Sequence, residues 1–183
     1  MKRFPIALTA FFLVALAGCG GPPDRDDIRT SALPLRDQQQ AIWLFERQLQ
    51  CVYFSPCQNA MTGRTLERDP AGAVQACGKA HASLQELSVP AGLPVKVDKI
   101  LNEARLILER NADWSLKSAR FAAGESVSPA GPVPGNAQTL DAYSRIDRVN
   151  ALYGLKGFMK GACISCDVMY GRLPDFPKWK DLK

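Results

Sequence analysis

The stretch "VDKILNEARLILERNADWSLKSARF", residues 97–121, decides the fold class of this chain. Apolar side chains recur in it every seven residues, at Ile100, Ile107, Trp114 and Phe121. A second apolar set lies beside the first and comprises Val97, Leu101, Ala104 and Leu108. Such spacing gathers apolar side chains on one side of an α-helix. We predict one long helix with Ile107 and Trp114 buried against other helices.

A helix is also predicted before this stretch. Asp37, with Gln40 three residues later, resembles a capping box at a helix start. An apolar stripe at helical spacing follows, made of Ile42, Phe45, Leu49 and Val52. The residue before a proline is pushed away from the helical conformation. We therefore predict that this helix ends near "YFSPC", residues 53–57.

Two more segments have helical signals. One begins at Asp69-Pro70, a capping residue followed by proline in the first turn, and ends at "SVPAGLP", residues 88–94. Its predicted stripe is Val74, Cys77, His81 and Leu84. The other runs from about Thr139 to Tyr153, after a loop rich in proline and glycine. Its predicted inward residues are Ala142, Ile146, Val149 and Tyr153.

The pattern weakens beyond Gly154, and the end of the chain, "RLPDFPKWKDLK", reads as extended. No alternating apolar run is long enough to predict a strand. Four helices joined by short or proline-rich connections are typical of a bundle. We predict an all-α, four-helix bundle-like domain with an irregular C-terminal tail, stapled by disulfide bonds.

The beginning of the chain, "MKRFPIALTAFFLVALAGCGG", has the pattern of a targeting signal. Two basic residues precede an apolar run that is too short to span a bilayer comfortably. The run ends in Leu16-Ala17-Gly18-Cys19, which resembles the lipobox of bacterial lipoproteins. The resemblance implies that Cys19 is lipidated and becomes the mature N-terminus. Gly20 stands where an Asp would resemble an inner-membrane retention signal, so we expect the periplasmic face of the outer membrane.

These signals divide the chain into three parts. We predict a lipoprotein signal peptide at 1–18, a lipidated cysteine and flexible tether at 19–35, and a single helical domain at 36–183. Several acyl chains on Cys19 anchor a protein stably without a transmembrane helix. The net charge of +5 includes Lys2 and Arg3 and falls to +3 after processing. The remaining basic residues are spread among acidic ones, so we predict no nucleic-acid surface.

The sequence favours no catalytic site. It contains one histidine, His81, and no Gly-x-Ser-x-Gly, phosphate-loop or dinucleotide motif. Its carboxylates are interspersed with lysines and arginines, which is typical of a solvated helix face. We predict that the protein is not an enzyme.

Five cysteines remain after Cys19, and all five are disulfide candidates: Cys51, Cys57, Cys77, Cys163 and Cys166. The periplasm oxidises paired thiols, so disulfides are the default. The motif "CISC" lacks the following histidine of a haem site, because residue 167 is Asp. We predict that Cys163 or Cys166 is bonded to the N-terminal helices. We rank Cys77 lowest as a partner, since it could face the core as a free thiol.

Two metal sites stay open as alternatives. Cys77 and His81 lie four residues apart and, with Cys163 and Cys166, would complete a Cys3His zinc site that leaves Cys51 and Cys57 to pair. Alternatively, Met159, Cys163, Cys166 and Met169 would form a soft stripe suited to Cu(I) if that segment is helical. Buried methionine and cysteine are common in cores, so we expect no cofactor.

The function expected from these observations is a non-catalytic one. We predict that the lipoprotein binds another envelope protein or a secreted protein, as part of envelope assembly, a secretion system or inhibition. The alternative from another class is a periplasmic protein that binds Cu(I) or zinc.

Overall fold

The computed structural model describes residues 23–128 and 136–155. Within these ranges the chain is helical and forms no strand, which confirms the all-α prediction. The helices are α1 (Arg25–Arg29), α2 (Leu35–Leu49), a π-helix (Gln50–Gln58), α3 (Gly63–Arg68), α4 (Pro70–Glu86), α5 (Val95–Ala122) and α6 (Asn136–Tyr153). None of them combines the length and apolarity needed to cross a membrane, as far as these ranges extend. The predicted tail after residue 155 lies outside them.

Helix α5 is the centre of the domain and packs against both α4 and α6. Ile107 is buried, as predicted, but Trp114 is only half-buried and Phe121 is 57% exposed. The prediction for Trp114 is therefore wrong. An α-helix turns about 20° away from a seven-residue repeat with each heptad, so such a stripe cannot stay on one side of a straight helix. The neighbouring set forms the core instead: Val97, Leu101, Ala104, Leu108, Ala112 and Ala119.

Helix α2 begins at Leu35, directly after Pro34, so the predicted cap at Asp37 is wrong. Asp37 lies within the first turn, where a carboxylate interacts favourably with the helix dipole. The predicted apolar stripe is confirmed, because Ile42, Phe45, Leu49 and Val52 are all buried.

We predicted that the helix ends near Pro56, and this prediction is wrong. The chain continues from α2 into the π-helix, which contains Pro56. A π-helix forms i to i+5 hydrogen bonds and has a wider turn than an α-helix. This change of register carries the chain past the proline and places Cys51, Tyr53 and Cys57 in the core.

Helix α4 starts as predicted. The Asp69 side chain accepts a hydrogen bond of 2.8 Å from the Gly72 N–H, and Pro70 occupies the first turn. Its buried stripe shares Cys77 and Leu84 with the predicted one, but Ala73 and Ala80 take the places of Val74 and His81. Val74 and His81 are half-buried. Small residues at the contact allow two helices to approach closely, which favours the alanines at this position.

Helix α6 confirms its prediction, with Ala142, Ile146, Val149 and Tyr153 all buried. It begins at Asn136, a few residues before the predicted start. Gly154 ends it with φ of 67°, a left-handed conformation that glycine adopts without steric cost. The Leu155 N–H donates to the Asn150 carbonyl at 2.8 Å, as in a Schellman motif.

The segment before α2, predicted as a tether, contains helix α1 from Arg25 to Arg29. Asp24 and Asp27 form a capping box on α1. The Lys96 ammonium lies 3.0 Å from the Asp27 carboxylate, and the Ser31 hydroxyl donates to the Gly92 carbonyl at 2.6 Å. These contacts tie α1 and its following loop to the start of α5 and make them part of the domain.

Candidate functional site

An open groove of about 540 Å³ lies where the segment around α1, the start of α2 and the end of α6 meet. Its walls are mainly apolar and include Ile28, Leu33 and Leu152. Arg25 and Arg29, one helical turn apart on α1, are the charged residues that line it. The groove therefore offers an apolar channel with two guanidinium groups on one side.

The floor of the groove is a buried amide. Gln38 is 1% exposed, and its Nε2 donates to the carbonyls of Ile28 at 3.1 Å and Leu33 at 2.7 Å. The Tyr153 hydroxyl donates to Gln38 Oε1 at 2.6 Å, and Gln39 Nε2 donates to the Tyr153 carbonyl at 2.8 Å. One side chain thus joins the N-terminal segment, α2 and α6. Because its hydrogen bonds are satisfied, the floor is held in one geometry.

The groups around the floor keep fixed protonation states near neutral pH. Burial, with a smaller contribution from the Asp27 charge, raises the pKa of Tyr153 to about 12. The phenol therefore remains a donor to Gln38. Asp27 shows the opposite effect, because a hydrogen bond from the Asp24 N–H and the neighbouring Lys96 lower its pKa. Its carboxylate stays ionised and holds α1 against α5.

A second polar contact joins α2 and α6 deeper in the domain. Glu46 and Asn150 are each 1% exposed, and Asn150 Nδ2 donates to Glu46 Oε2 at 3.1 Å. Burial raises the pKa of Glu46 to about 8, although the Asn150 hydrogen bond and the Arg47 charge act against it. Arg47 is also buried and donates to Gln50 Oε1, with its guanidinium 5.6 Å from the centroid of the Trp43 ring.

A third polar cluster lies where the π-helix, α5 and α6 meet. Asn111 is 3% exposed, its Nδ2 donates to Thr139 Oγ1 at 2.9 Å, and its side chain also bonds Tyr53. Burial raises the pKa values of Tyr53 and Tyr143. Both tyrosines are therefore neutral at ordinary pH; Tyr53 lies in the core, and Tyr143 is half-buried against it.

Sequence patterns did not single out Gln38, Glu46 or Asn150. A signal for two of them was nevertheless present in α2, because Gln38 and Glu46 lie four residues before and after the buried Ile42. Polar residues in the register of an apolar stripe face the core and must find hydrogen-bond partners there. The spacing could not predict that Tyr153 and Asn150, on a helix more than 100 residues away, would be among those partners.

The cysteines pair differently from the prediction. Cys57 and Cys77 form a disulfide between the π-helix and α4, and both residues are fully buried. The expectation that Cys77 could be a free thiol is therefore wrong, and so is the pairing of Cys51 with Cys57. The sequence predicted that the helix ends near residues 53–57. The π-helix instead continues through Cys57 and places its side chain against α4. Cys51 is also disulfide-bonded.

Cys163, Cys166 and Cys19 lie outside the described residues. A bond from Cys163 or Cys166 to the N-terminal helices therefore stays a prediction. Non-reducing peptide mapping of protein exported to the periplasm tests it, and a linked pair of peptides containing Cys51 and either cysteine is the expected result. Recovery of a peptide with Cys163 and Cys166 bonded only to each other would contradict it.

The zinc prediction fails at Cys77, because its sulfur is bonded to Cys57. His81 lies half-buried on α4, and residues 23–128 and 136–155 bring no three His, Cys, Asp or Glu side chains into a metal-binding group. The copper ligands proposed from sequence, Met159, Cys163, Cys166 and Met169, fall beyond the described ranges. That alternative remains a prediction.

Comparisons with protein-family models, curated proteins and solved structures give no match for this chain. Function is therefore inferred from the groove, the buried contacts and the N-terminal sequence.

Proposed function

We propose that the protein is a lipoprotein on the periplasmic face of the outer membrane, and that its helical domain binds a segment of another envelope protein or a secreted protein. The role is non-catalytic. The observation that carries the binding role is the groove between α1, α2 and α6, with its apolar walls and two arginines. The charged n-region, the apolar run and Leu16-Ala17-Gly18-Cys19 support the location.

The position of the groove in the chain fits an anchored protein. Cys19 precedes Asp24 by five residues, and a chain of that length spans at most about 18 Å. A lipid on Cys19 would keep the end of the domain that carries α1 near the membrane surface. The groove would then lie close to other proteins of the same membrane.

The chemistry of the groove indicates the kind of segment it fits. An apolar side chain would bury surface between Ile28, Leu33 and Leu152. A carboxylate beside it would meet Arg25 and Arg29, since a guanidinium binds a carboxylate in a bidentate geometry. Arg29 lies 3.7 Å from Asp26, with both side chains more than three-quarters exposed. Such a surface pair is weak and yields to a better partner.

The anchor is tested by Cys19→Ser. We expect the wild-type protein in the outer-membrane fraction, without residues 1–18 and with acyl chains on Cys19. The variant should remain unprocessed or leave the membrane fraction. Wild-type protein that is wholly soluble and retains residues 1–18 would contradict the lipoprotein proposal.

The groove is tested by crosslinking in cells, with a photoreactive amino acid at Leu35, which is 50% exposed beside the groove. Leu106, 38% exposed on α5, is the matched control position. A crosslinked product formed from position 35 and absent from position 106 is expected.

Charge reversal then identifies the role of the arginines. We expect Arg25→Glu with Arg29→Glu to abolish the product, and Lys79→Glu with Arg110→Glu, exposed and outside the groove, to leave it unchanged. Equal products from both double variants would contradict recognition by the arginines.

A further inference from the structure

The contact between Glu46 and Asn150 contains two atoms whose hydrogen bonding is incomplete. Asn150 Nδ2 donates to Glu46 Oε2 at 3.1 Å. The other oxygens of the two side chains, Glu46 Oε1 and Asn150 Oδ1, are buried and have no hydrogen-bond partner in the described part of the chain. Buried polar atoms are rarely left in this state, so a pair of them on two bonded side chains requires an explanation.

The protonation state of Glu46 supplies one. In an ionised Glu46, both unpartnered oxygens are acceptors and cannot bond to each other. A proton on Glu46 Oε1 converts that atom into a donor, for which Asn150 Oδ1 is the matching acceptor. The carboxylic acid and the amide then form two hydrogen bonds in opposite directions. The same proton removes a negative charge from a residue that is 1% exposed, where it would be costly.

We propose that Glu46 is protonated in the folded protein, that it forms a reciprocal pair of hydrogen bonds with Asn150, and that this pair makes the contact between α2 and α6 sensitive to pH. The inference goes beyond the proposed function and does not depend on it. The group titrates inside a helix contact, so its ionisation loosens that contact.

The charges around Glu46 act in both directions. Arg47, its neighbour on α2, favours the ionised form, whereas Asp147, one turn before Asn150 on α6, opposes it. Burial exceeds the attraction of Arg47 and raises the pKa of Glu46 to about 8. Gln38 and Tyr153 join the same two helices at the groove floor. Loosening of the contact would therefore extend toward the groove.

The sign of the pH effect follows from linkage. The pKa of Glu46 is about 8 in the folded protein and 4.5 as the reference value for an exposed glutamate. The stabilisation from the proton is complete below the lower value and is lost as the pH rises from there to the upper value. Above about 8 the folded protein also releases the proton, so the loss stops.

Glu46→Gln is the decisive variant, because glutamine reproduces the donor and acceptor of the protonated acid at every pH. We expect the ratio of the unfolding equilibrium constants, wild type to variant, to rise by up to tenfold per pH unit between about pH 4.5 and about pH 8 and to level off above. Glu67→Gln, on an exposed glutamate of α3, is the control, for which the ratio should stay flat. A flat ratio for Glu46→Gln would overturn the proposal.

A spectroscopic measurement on the wild-type protein decides the matter even if Glu46→Gln fails to fold. With ¹³C-labelled glutamate, one side-chain carboxyl signal should titrate with a midpoint near 8, and infrared spectra should show a protonated carboxyl band that disappears over the same range. Where the variant folds, both signals should be missing from it. If every glutamate carboxyl of the wild type titrates at its ordinary pH, the proposal is wrong.

Discussion

Helix α5 contacts α4 and α2 contacts α6 through different chemistry. Between α4 and α5 the buried side chains are apolar and often small, as with Ala80, Leu84, Leu101 and Ala104, and a disulfide fastens α4 to the π-helix. Between α2 and α6, two hydrogen bonds between polar side chains add to the shared apolar core, from Tyr153 to Gln38 and from Asn150 to Glu46.

The apolar α4–α5 contact and the polar α2–α6 contact contribute differently: the first mainly stabilises the fold, and the second mainly selects one arrangement of the helices. Apolar packing contributes in proportion to the area removed from water and tolerates small shifts of one helix along the other. A buried hydrogen bond contributes little net stability but leaves its groups unsatisfied in any other arrangement. The α4–α5 contact should therefore supply most of the stability, whereas the α2–α6 contact fixes one geometry and contains the titratable group.

The largest effect is expected from Leu108→Ala in the apolar contact. Leu108 is fully buried on α5, so its truncation leaves a cavity and should lower the free energy of unfolding by about 2–5 kcal/mol. Leu106→Ala, two residues earlier and 38% exposed, should lower the free energy of unfolding by much less. Urea denaturation measures both variants. Equal costs would mean that this side of α5 is not the core.

The disulfide should contribute next. Cys57 and Cys77 are 20 residues apart, and closing a loop of that length stabilises a protein by about 3 kcal/mol in the chain-entropy model. We expect the double variant Cys57→Ala with Cys77→Ala to melt at a clearly lower temperature than the wild type in calorimetry. Reducing agent should then shift the variant less than the wild type. An identical shift in both proteins would show that this bond does not staple the domain.

A smaller effect is expected at the groove floor. Tyr153→Phe removes the donor to Gln38 Oε1 and leaves a buried acceptor, which should cost about 1–3 kcal/mol. The cost should be the same at about pH 5 and about pH 7, because Glu46 keeps its proton at both and the pKa of Tyr153, about 12, lies far above them. Denaturation at both pH values and amide hydrogen exchange measure it. Exchange should accelerate in residues 24–34, and unchanged exchange there would separate Tyr153 from the groove.

The smallest effect concerns the ion pair between Asp27 and Lys96. Lys96→Gln should raise the pKa of Asp27 but leave it below its reference value of 3.8, because the hydrogen bond from the Asp24 N–H remains. Since this pKa is lowered in the folded protein, its contribution to stability is present above 3.8 and is lost as the pH falls. NMR titration of the carboxyl group measures the shift. Lys99→Gln, an exposed neighbour on α5, should leave it unchanged.

Local signals in the sequence predicted much of the fold. Asp69-Pro70 marked the start of α4, and the stripe from Ala142 to Tyr153 marked the inner side of α6. The first signal is a pair of adjacent residues, and the second depends on residues three or four positions apart, which lie on the same side of any α-helix. The seven-residue repeat in α5 predicted the helix correctly, but it placed Trp114 on the buried face, where the structure does not have it. A repeat of seven fixes a helix more firmly than it fixes the angle at which the helix faces its neighbours.

The sequence by itself determined the helical class, the order of the main helices and the charged and apolar pattern of the first nineteen residues, because each is encoded between near neighbours in the chain. Only the tertiary structure decided that Cys57 meets Cys77 and that Glu46 meets Asn150. The physical reason is distance along the chain. Both contacts join residues on helices that are distant in the sequence and pack together only in the folded protein. The disulfide also depends on the π-helix that contains Pro56, where local sequence rules predict the end of a helix.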